Sequence, residues 1–415
     1  MQTKRESNAK RVLFLVVDGM NDLPIAELKG STPLEIAKTF AMDFLASRGD
    51  CGLLKLFDFG PESDEAMLAL LGLKPELLYP GRGILEAYGS GLAIENNAIY
   101  FRCNLVKVKG RRILDFEFKP DEKLKKKIEK IISKIKLGIN FKFKFVKGHR
   151  AILIFREREL GDKVTNTNPA YELCGINKLS KALPRPKNRA FFIKPAKALD
   201  ESSLLTAKKL NEFSEKALLA LKHAGLELGI VARGASKKGK WFDKLKRIKK
   251  FRGWALISEM PVEIAIGKLL GMKIYDYTNN YNLLAEKVAK LLSKHNVYLQ
   301  IKGPDAYGHR GDYRGKAACI EEIDRLFLLP LLEKLAGKKV KLILTCDHIT
   351  SSKHLSHYPG PLTWIKCDLA RIRKEELEEL VSLSQIPSKS YKSKLKFSEK
   401  SCEKKKIIKA SQLLN

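Results

Sequence analysis

RVLFLVVDG, residues 11–19, is an aliphatic and aromatic run that stops on an acid and a glycine. A short apolar run rich in β-branched residues and ended by a turn residue reads as a strand buried on both faces. The design recurs in VYLQIKGPD (297–305) and VKLILTCDH (340–348), each with an aspartate at or just past its C-terminal end. Helical patterns lie around these runs, as in NNYNLLAEKVAKLLSKH (279–295) and GKAACIEEIDRLFLLPLLEKLAG (315–337). Strands alternating with helices predict an α/β fold with a mainly parallel sheet flanked by helices. Ligands of such sheets gather at the carboxyl ends of the strands. Asp18, Asp305 and Asp347 are thereby brought to one edge.

The chain has 415 residues, 44% of them hydrophobic, enough for two domains or for one large α/β domain carrying an insertion. The middle of the chain favours the second. Its charge rises, and short alternating strands appear in RRILDFEFK, NFKFKFV and RAILIFR, with helical stretches at 121–137 and 203–224. The expected organisation is a core over 1–110, an inserted α+β domain over 111–254 serving as substrate or lid domain, and the core resumed over 255–415. The Ser/Lys/Pro-rich segment 386–396 reads as exposed, and there is no internal repeat.

No window of about 18 apolar residues predicts a spanning helix. The start, MQTKRESNAKRVLFLVVDG, is basic and then apolar, as a signal peptide is. Its apolar run is short, ends on a charge and lacks a small-residue cleavage site, so a buried strand is the better reading. The seven cysteines form no C-x-x-C pair and are widely spaced, which suits a reducing cytoplasm. The net charge of +32, from 79 Lys and Arg against 47 Asp and Glu, fits nucleic acid, anionic lipid, an anionic substrate or simply a lysine-rich proteome. The lysine runs at 121–136, 236–252 and 388–406 carry few interleaved aromatics and no nucleic-acid motif. A small anionic substrate, without a nucleic-acid or membrane partner, is therefore expected.

Of seven histidines, His309, His348 and His357 lie beside or shortly after the strand-end acids. Asp305-x-x-x-His309, and Asp347-His348 with His357 downstream, offer two carboxylates and three imidazoles, and Asp18 adds a third carboxylate. Taken singly, each acid could be a turn residue and each histidine an ordinary hydrogen-bonded polar residue. Taken together they suit Zn²⁺ or Mn²⁺ better than Ca²⁺. Two such ions a few ångströms apart can clamp a phosphoryl group and activate a nucleophile. A hydroxyl is at hand: Ser63 follows a Gly-Pro turn and precedes an apolar helical run. That position reads as a helix N-cap, and a cap at a helix N-terminus also welcomes phosphate.

VLFLVVDGMNDLPIAELKGSTPLEIAKT, SDEAMLALLGLKPELLYPGRGILEAYGSGL, FRCN, GHRAIL, KGPDAYGHRGD and TCDHITSSKHLSHYPGP resemble, in order, the archaeal-type cofactor-independent phosphoglycerate mutases of the alkaline phosphatase superfamily. FSEKSC (397–402) also resembles a segment of that family. The resemblance implies an alkaline-phosphatase-like core with an inserted α+β domain. It further implies two divalent ions, Mn²⁺ first and Zn²⁺, Co²⁺ or Mg²⁺ as others. One ion would be held by Asp305, His309 and His357, and the other by Asp18, Ser63, Asp347 and His348; all seven positions match the family's ligand types. Ser63 would take the phosphoryl group of 3-phosphoglycerate and return it to the 2-hydroxyl of glycerate. Arg82, Arg150, Arg233 and Lys268 would bind substrate, and Arg102 is also retained.

The chain departs from the family at Asn21 and Leu23, at Met67 where the family has His, at Arg310 where it has Asp, and at Asn166 and Asn168 where it has acids. An arginine-rich segment is reduced to RRILDFEFK, and the stretch before ARGASKK (232–238) is shortened. Those changes leave a second reading open: a metal-dependent phosphohydrolase or phosphotransferase acting on another small phosphate ester.

Overall fold

The computed structural model describes residues 10–116, 118–174, 178–186, 188–384, 395–403 and 405–414. The first nine residues and most of the segment 386–396 lie outside the described residues. The chain forms two compact units, one of Met1–Gly72, Lys250–Glu259 and Gly271–Asn415, the other of Leu73–Lys249 and Met260–Leu270.

The first unit is built on an eight-stranded sheet. Its order is Lys273–Tyr275, Ala255–Ile257, Val297–Ile301, Arg11–Val17, Val340–Thr345, Leu362–Asp368, Asp50–Lys55 and Ile408–Lys409. Leu362–Asp368 alone runs against the other seven. The three acid-bearing runs are adjacent, with Arg11–Val17 paired in parallel to Val297–Ile301 on one side and to Val340–Thr345 on the other. Leu13 to Val17 are wholly buried, as their continuous apolar character requires for a strand covered on both faces.

The helical pattern over 315–337 is a chain of three pieces: Tyr313–Ile323, a π-helical turn at Asp324–Leu328, and Leu329–Leu335. Pro330 lacks an amide hydrogen and its ring crowds the carbonyl four residues back, and the wider turn falls at that place. The C-terminal segment belongs to this unit's core, with Phe397 and Cys402 fully buried. No described helix is long and apolar enough to cross a membrane.

The second unit centres on the long strand Ala98–Lys109, paired antiparallel with Arg150–Arg156 and with Leu228–Lys237. Helices Glu122–Ile132 and Leu204–His223 cover one face through a core that includes Phe101, Phe143, Phe155 and Phe213. On the other face Ile84 and Ala87 of helix Arg82–Gly89 pack against Tyr100, Ile152 and Ile154. This unit begins well upstream of residue 111. The rise in charge marks its exposed helices and edge strand, whereas its central strand is apolar and reads like core sequence.

Candidate metal centre and arginine cluster

Each strand-end acid is aimed by a local device. Asp18 follows its strand directly, and Gly19 then turns the chain at φ +60°. A Cβ there would stand 2.5 Å from Thr350 Oγ1 and 2.8 Å from Asp305 Cα, so only glycine fits. The Gly19 amide donates to Asp347 Oδ1 at 3.0 Å, and Gln300 Nε2 donates to Asp347 Oδ2 at 2.9 Å. Asp305 sits in the first turn of helix Pro304–Arg310, which puts His309 one turn on along the same face, its Nε2 3.3 Å from Asp305 Oδ1. His357 comes from the small ribbon Ile349–Ser351 and Ser356–Tyr358, which follows the third acid-bearing strand.

Beneath these ligand-type residues lies a buried lock. Lys316 Nζ donates to Asp22 Oδ2 (2.9 Å), to Asn21 O (2.8 Å) and to Thr350 O (2.7 Å), and both charged side chains are fully buried. The loop after Asp18 and the ribbon that carries Thr350 are thus tied to one ammonium. Removing one partner of a buried ion pair costs about 3–5 kcal/mol because the other charge is left unpaired. Lys316→Met should therefore lower the urea midpoint sharply, and adding Asp22→Asn should recover much of the loss. An unchanged midpoint in the single variant would exclude this role.

The three imidazoles share one arrangement. His357 Nδ1 donates to Pro61 O (2.7 Å) and His309 Nδ1 to Leu355 O (3.1 Å). The Thr350 hydroxyl donates to Asp305 Oδ1 (2.7 Å), so it accepts from His348 Nδ1 at 3.0 Å. A carbonyl or an already committed hydroxyl can only accept, so the partners assign the proton of each ring to Nδ1. Every Nε2 is then the nitrogen that faces inward, with a lone pair to offer whenever its ring is neutral. His309 and His357 face each other Nε2 to Nε2 at 3.2 Å, and His348 stacks on His357 with ring centroids 3.6 Å apart.

The carboxylates complete the set. His348 Nε2 lies 3.3 Å from Asp18 Oδ1 and 3.4 Å from Asp347 Oδ2, and the Ser63 hydroxyl is 3.4 Å from the same nitrogen. Two compact groups of donor atoms result, Asp305 with His348 and His357, and Asp18 with Asp347 and His348. His309 flanks the first group through its contacts with Asp305 and His357. Burial pushes His348 down to about 3, so the ring is a neutral donor. Burial works to raise the Asp305 carboxyl, but positive charge taken up by the neighbouring imidazoles, His309 first and His357 next, holds it well below its usual range.

The donor set suits divalent cations on three counts. Carboxylate and imidazole are ligands for such ions, the lone pairs converge, and Asp18 Oδ1 is buried without a hydrogen-bond donor. Lys302 Nζ contacts the other oxygen, Asp18 Oδ2.

Ser63 is not the cap expected of it. Glu62 is the N-cap of helix Ser63–Leu70 and forms a capping box with Glu65. The longer glutamate side chain reaches the third amide of the helix, so Ser63 becomes its first residue and the hydroxyl is released from capping.

A second cluster lies wholly within the other unit. Arg102 and Arg233 are directly opposite in the antiparallel pairing of their strands, and Arg150 pairs with Asn104 two residues on. Arg82 and Glu86 share one face of their helix, with Arg82 Nε 3.5 Å and Arg150 Nη1 3.9 Å from the Glu86 carboxylate. Burial would raise Glu86, but Arg150, Arg82, Arg102 and Arg233 outweigh it and keep it ionised. Four guanidiniums thus share one buried carboxylate. Arg102 is buried with Nε and Nη1 lacking hydrogen-bond acceptors, and burial, Arg233 and Arg150 bring it down to about 9. The Arg233 guanidinium stacks 3.7 Å over the Tyr171 ring. Such an excess of buried positive charge can receive a multiply charged anion. Lys268 is exposed on helix Pro261–Leu269, 5.7 Å over the Tyr88 ring.

Several departures from the resembled family have structural employment. Asn21 accepts from the Thr363 amide at 2.9 Å and donates to Glu399 at 2.8 Å. Asn166 accepts from the Gly234 amide at 3.1 Å and Asn168 from Ala170 at 3.0 Å. Met67 is buried in the core, and Arg310 lies 4.7 Å over the Tyr307 ring. Sequence reasoning missed Glu86, whose signal was its i,i+4 spacing from Arg82. It also missed Thr350, Pro61 O and Leu355 O, the acceptors that orient the imidazoles.

A mainly parallel sheet that delivers carboxylates, imidazoles and a hydroxyl to one edge defines a metal-dependent enzyme with an alkaline-phosphatase-like core. Residues 244–394 accordingly match the metalloenzyme superfamily, and residues 46–225 match the family described as 2,3-bisphosphoglycerate-independent phosphoglycerate mutase. The chain is 32% identical over 387 residues to the 2,3-bisphosphoglycerate-independent phosphoglycerate mutase of Aeropyrum pernix, covering 85% of this chain and 89% of that one. It is 31% identical over 406 residues to that of Methanopyrus kandleri, covering 89% and 91%. A solved protein from Pyrococcus horikoshii shares the fold with TM-score 0.65 at 23% identity, over 88% of this chain and 89% of the other. This chain belongs to the 2,3-bisphosphoglycerate-independent phosphoglycerate mutase family.

Proposed function

We propose that this chain interconverts 3-phosphoglycerate and 2-phosphoglycerate through a phosphoserine at Ser63, as a cytoplasmic isomerase. The observation that carries the proposal is the inward set of three Nε2 lone pairs with three aspartates, beside a serine hydroxyl free of capping duty. Asp305, His309 and His357 would hold one divalent ion, and Asp18, Ser63, Asp347 and His348 a second, with Mn²⁺ the first choice. Bound ions would neutralise charge on the non-bridging phosphoryl oxygens and lower the pKa of the Ser63 hydroxyl.

Ser63 Oγ attacks phosphorus as the bond to the glycerate C3 oxygen breaks. The hydroxyl proton ends on that departing oxygen, giving free glycerate and phosphoserine. Glycerate turns without leaving, its 2-hydroxyl attacks phosphorus as the bond to Ser63 Oγ breaks, and the 2-hydroxyl proton passes to Ser63 Oγ, which regenerates the serine. A retained, reoriented glycerate needs a grip on its carboxylate, for which Arg82, Arg150 and Arg233, with Arg102, are suited. Lys268 adds positive charge in the same unit. In this reading the second unit, Leu73–Lys249 with Met260–Leu270, is the substrate domain, and all seven cysteines being free suits a reducing cytoplasm.

The decisive assay supplies 3-phosphoglycerate and Mn²⁺ without 2,3-bisphosphoglycerate. Formation of 2-phosphoglycerate is expected. Release of inorganic phosphate with no 2-phosphoglycerate would establish the hydrolase reading. Removal of Arg102 addresses substrate binding. Loss of a buried charged hydrogen-bond donor to an anionic substrate typically costs about 2–5 kcal/mol. Arg102→Met should therefore raise KM by at least about tenfold, 1.4 kcal/mol being a factor of ten. An unchanged KM would remove Arg102 from the binding set.

A further inference from the structure

The C-terminal segment crosses the end of the main sheet at a pair of buried thiols. Cys51 lies on strand Asp50–Lys55, and Cys402 on the short helix Glu399–Glu403 that packs against it. Both are buried, and each thiol is the strongest influence on the other's ionisation. Lys405, one turn further on, donates from Nζ to Cys51 Sγ at 2.9 Å. The segment then adds Ile408–Lys409 as a parallel edge strand against Leu54 and Lys55.

We propose that Cys51 and Cys402 form a reversible disulfide on exposure to a hydroperoxide, with Lys405 holding Cys51 as the attacking thiolate. The electrostatics agree. The Cys402 thiol and Lys405 outweigh burial and neighbouring Asp50, bringing Cys51 down to about 6, while Cys51 and burial raise Cys402. A low thiol with a raised thiol beside it makes an attacking and resolving pair. Cys103, Cys319 and Cys367 are instead pushed up by burial to about 12, 12 and 11, which leaves them unreactive thiols.

The chemistry balances. Cys51 sulfur attacks one peroxide oxygen, the O–O bond breaks, and the departing hydroxide takes a proton to become water. Cys402 sulfur then displaces hydroxide from the sulfenic acid and gives up its own proton, yielding the disulfide and a second water. Two thiols lose two electrons and one hydrogen peroxide gains them.

The bond would clamp a helix that already supports the metal centre. Glu399, three residues before Cys402, accepts from Asn21 Nδ2 (2.8 Å), the Asp22 amide (3.2 Å) and the Thr32 hydroxyl (2.7 Å). These anchor the loop that leaves Asp18. Oxidation should therefore hold the strap against the loop and raise the thermal midpoint of the metal-loaded chain.

The test treats the full, metal-loaded chain with hydrogen peroxide, alkylates the remaining thiols and maps tryptic peptides by mass. A Cys51–Cys402 cross-linked peptide that dithiothreitol reverses is expected, and it should form more slowly in Lys405→Met. Cys51→Ser should abolish the link and leave Cys402 alkylatable. Cys51 found as sulfinic acid with Cys402 still alkylatable would overturn the proposal. So would both thiols remaining reduced after Cys174, the most exposed, has been oxidised, or an unslowed reaction in Lys405→Met.

Discussion

Ser63→Ala should abolish mutase activity by on the order of 10⁴-fold or more, the loss met when a nucleophile is removed, while the fold persists. The structure separates the two consequences. A capping serine would cost about 1 kcal/mol of helix stability on replacement by alanine, which would cloud a loss of activity. Here Glu62 and Glu65 cap helix Ser63–Leu70, so the hydroxyl is spared that task. At the site it lies 3.4 Å from His348 Nε2. Alanine is also the best helix former, so the first turn is undisturbed. The variant should melt with the parent protein, and incubation with 3-phosphoglycerate should leave no phosphoserine in its peptide map. Activity within tenfold of the parent would transfer the nucleophile's role elsewhere.

The part of this centre that was readable in the sequence is the part carried by side-chain letters at strand ends. Asp18, Asp305 and Asp347 each close or follow an apolar run, and parallel pairing of the three runs does the rest. What was not readable depends on backbone atoms. Pro61 O and Leu355 O fix which nitrogen of His357 and His309 faces inward, and a carbonyl has no letter of its own. The cap at Ser63 was misread for a related reason. Serine is the commoner N-cap, and only the observed chain path shows that the preceding glutamate takes the position. The limit at residue 111 followed charge, yet the strand Ala98–Lys109 is buried along most of its length and central to the second unit's sheet. The arginines were named one by one, but Glu86, which gathers them, is an ordinary helical glutamate until Arg102 and Arg233 meet across two paired strands.

Asp305→Asn should remove most of the stabilisation that divalent metal confers. Ligand that binds only the folded state stabilises it by RT ln(1 + [L]/Kd), about 2.7 kcal/mol at a hundredfold excess over Kd. The parent protein should therefore melt higher with Mn²⁺ than after chelation. Without metal, His309 and His357 bring two lone pairs to 3.2 Å, an arrangement relieved only by a shared cation or proton. Asparagine keeps an oxygen to accept from Thr350, so the local hydrogen bond to the ribbon that carries Thr350 survives. What it loses is the negative charge 3.3 Å from His309 and 3.5 Å from His357, the charge that makes the pair a cation site. Loss of that charge should lower the melting point of the chelated variant somewhat, and the larger gap from the parent should open when metal is added. Mutase activity at saturating substrate should fall with metal occupancy and recover in part at high Mn²⁺ concentration. A variant that melted lower than the parent without metal, yet gained as much from Mn²⁺, would make Asp305 a structural residue and dismiss it as a ligand.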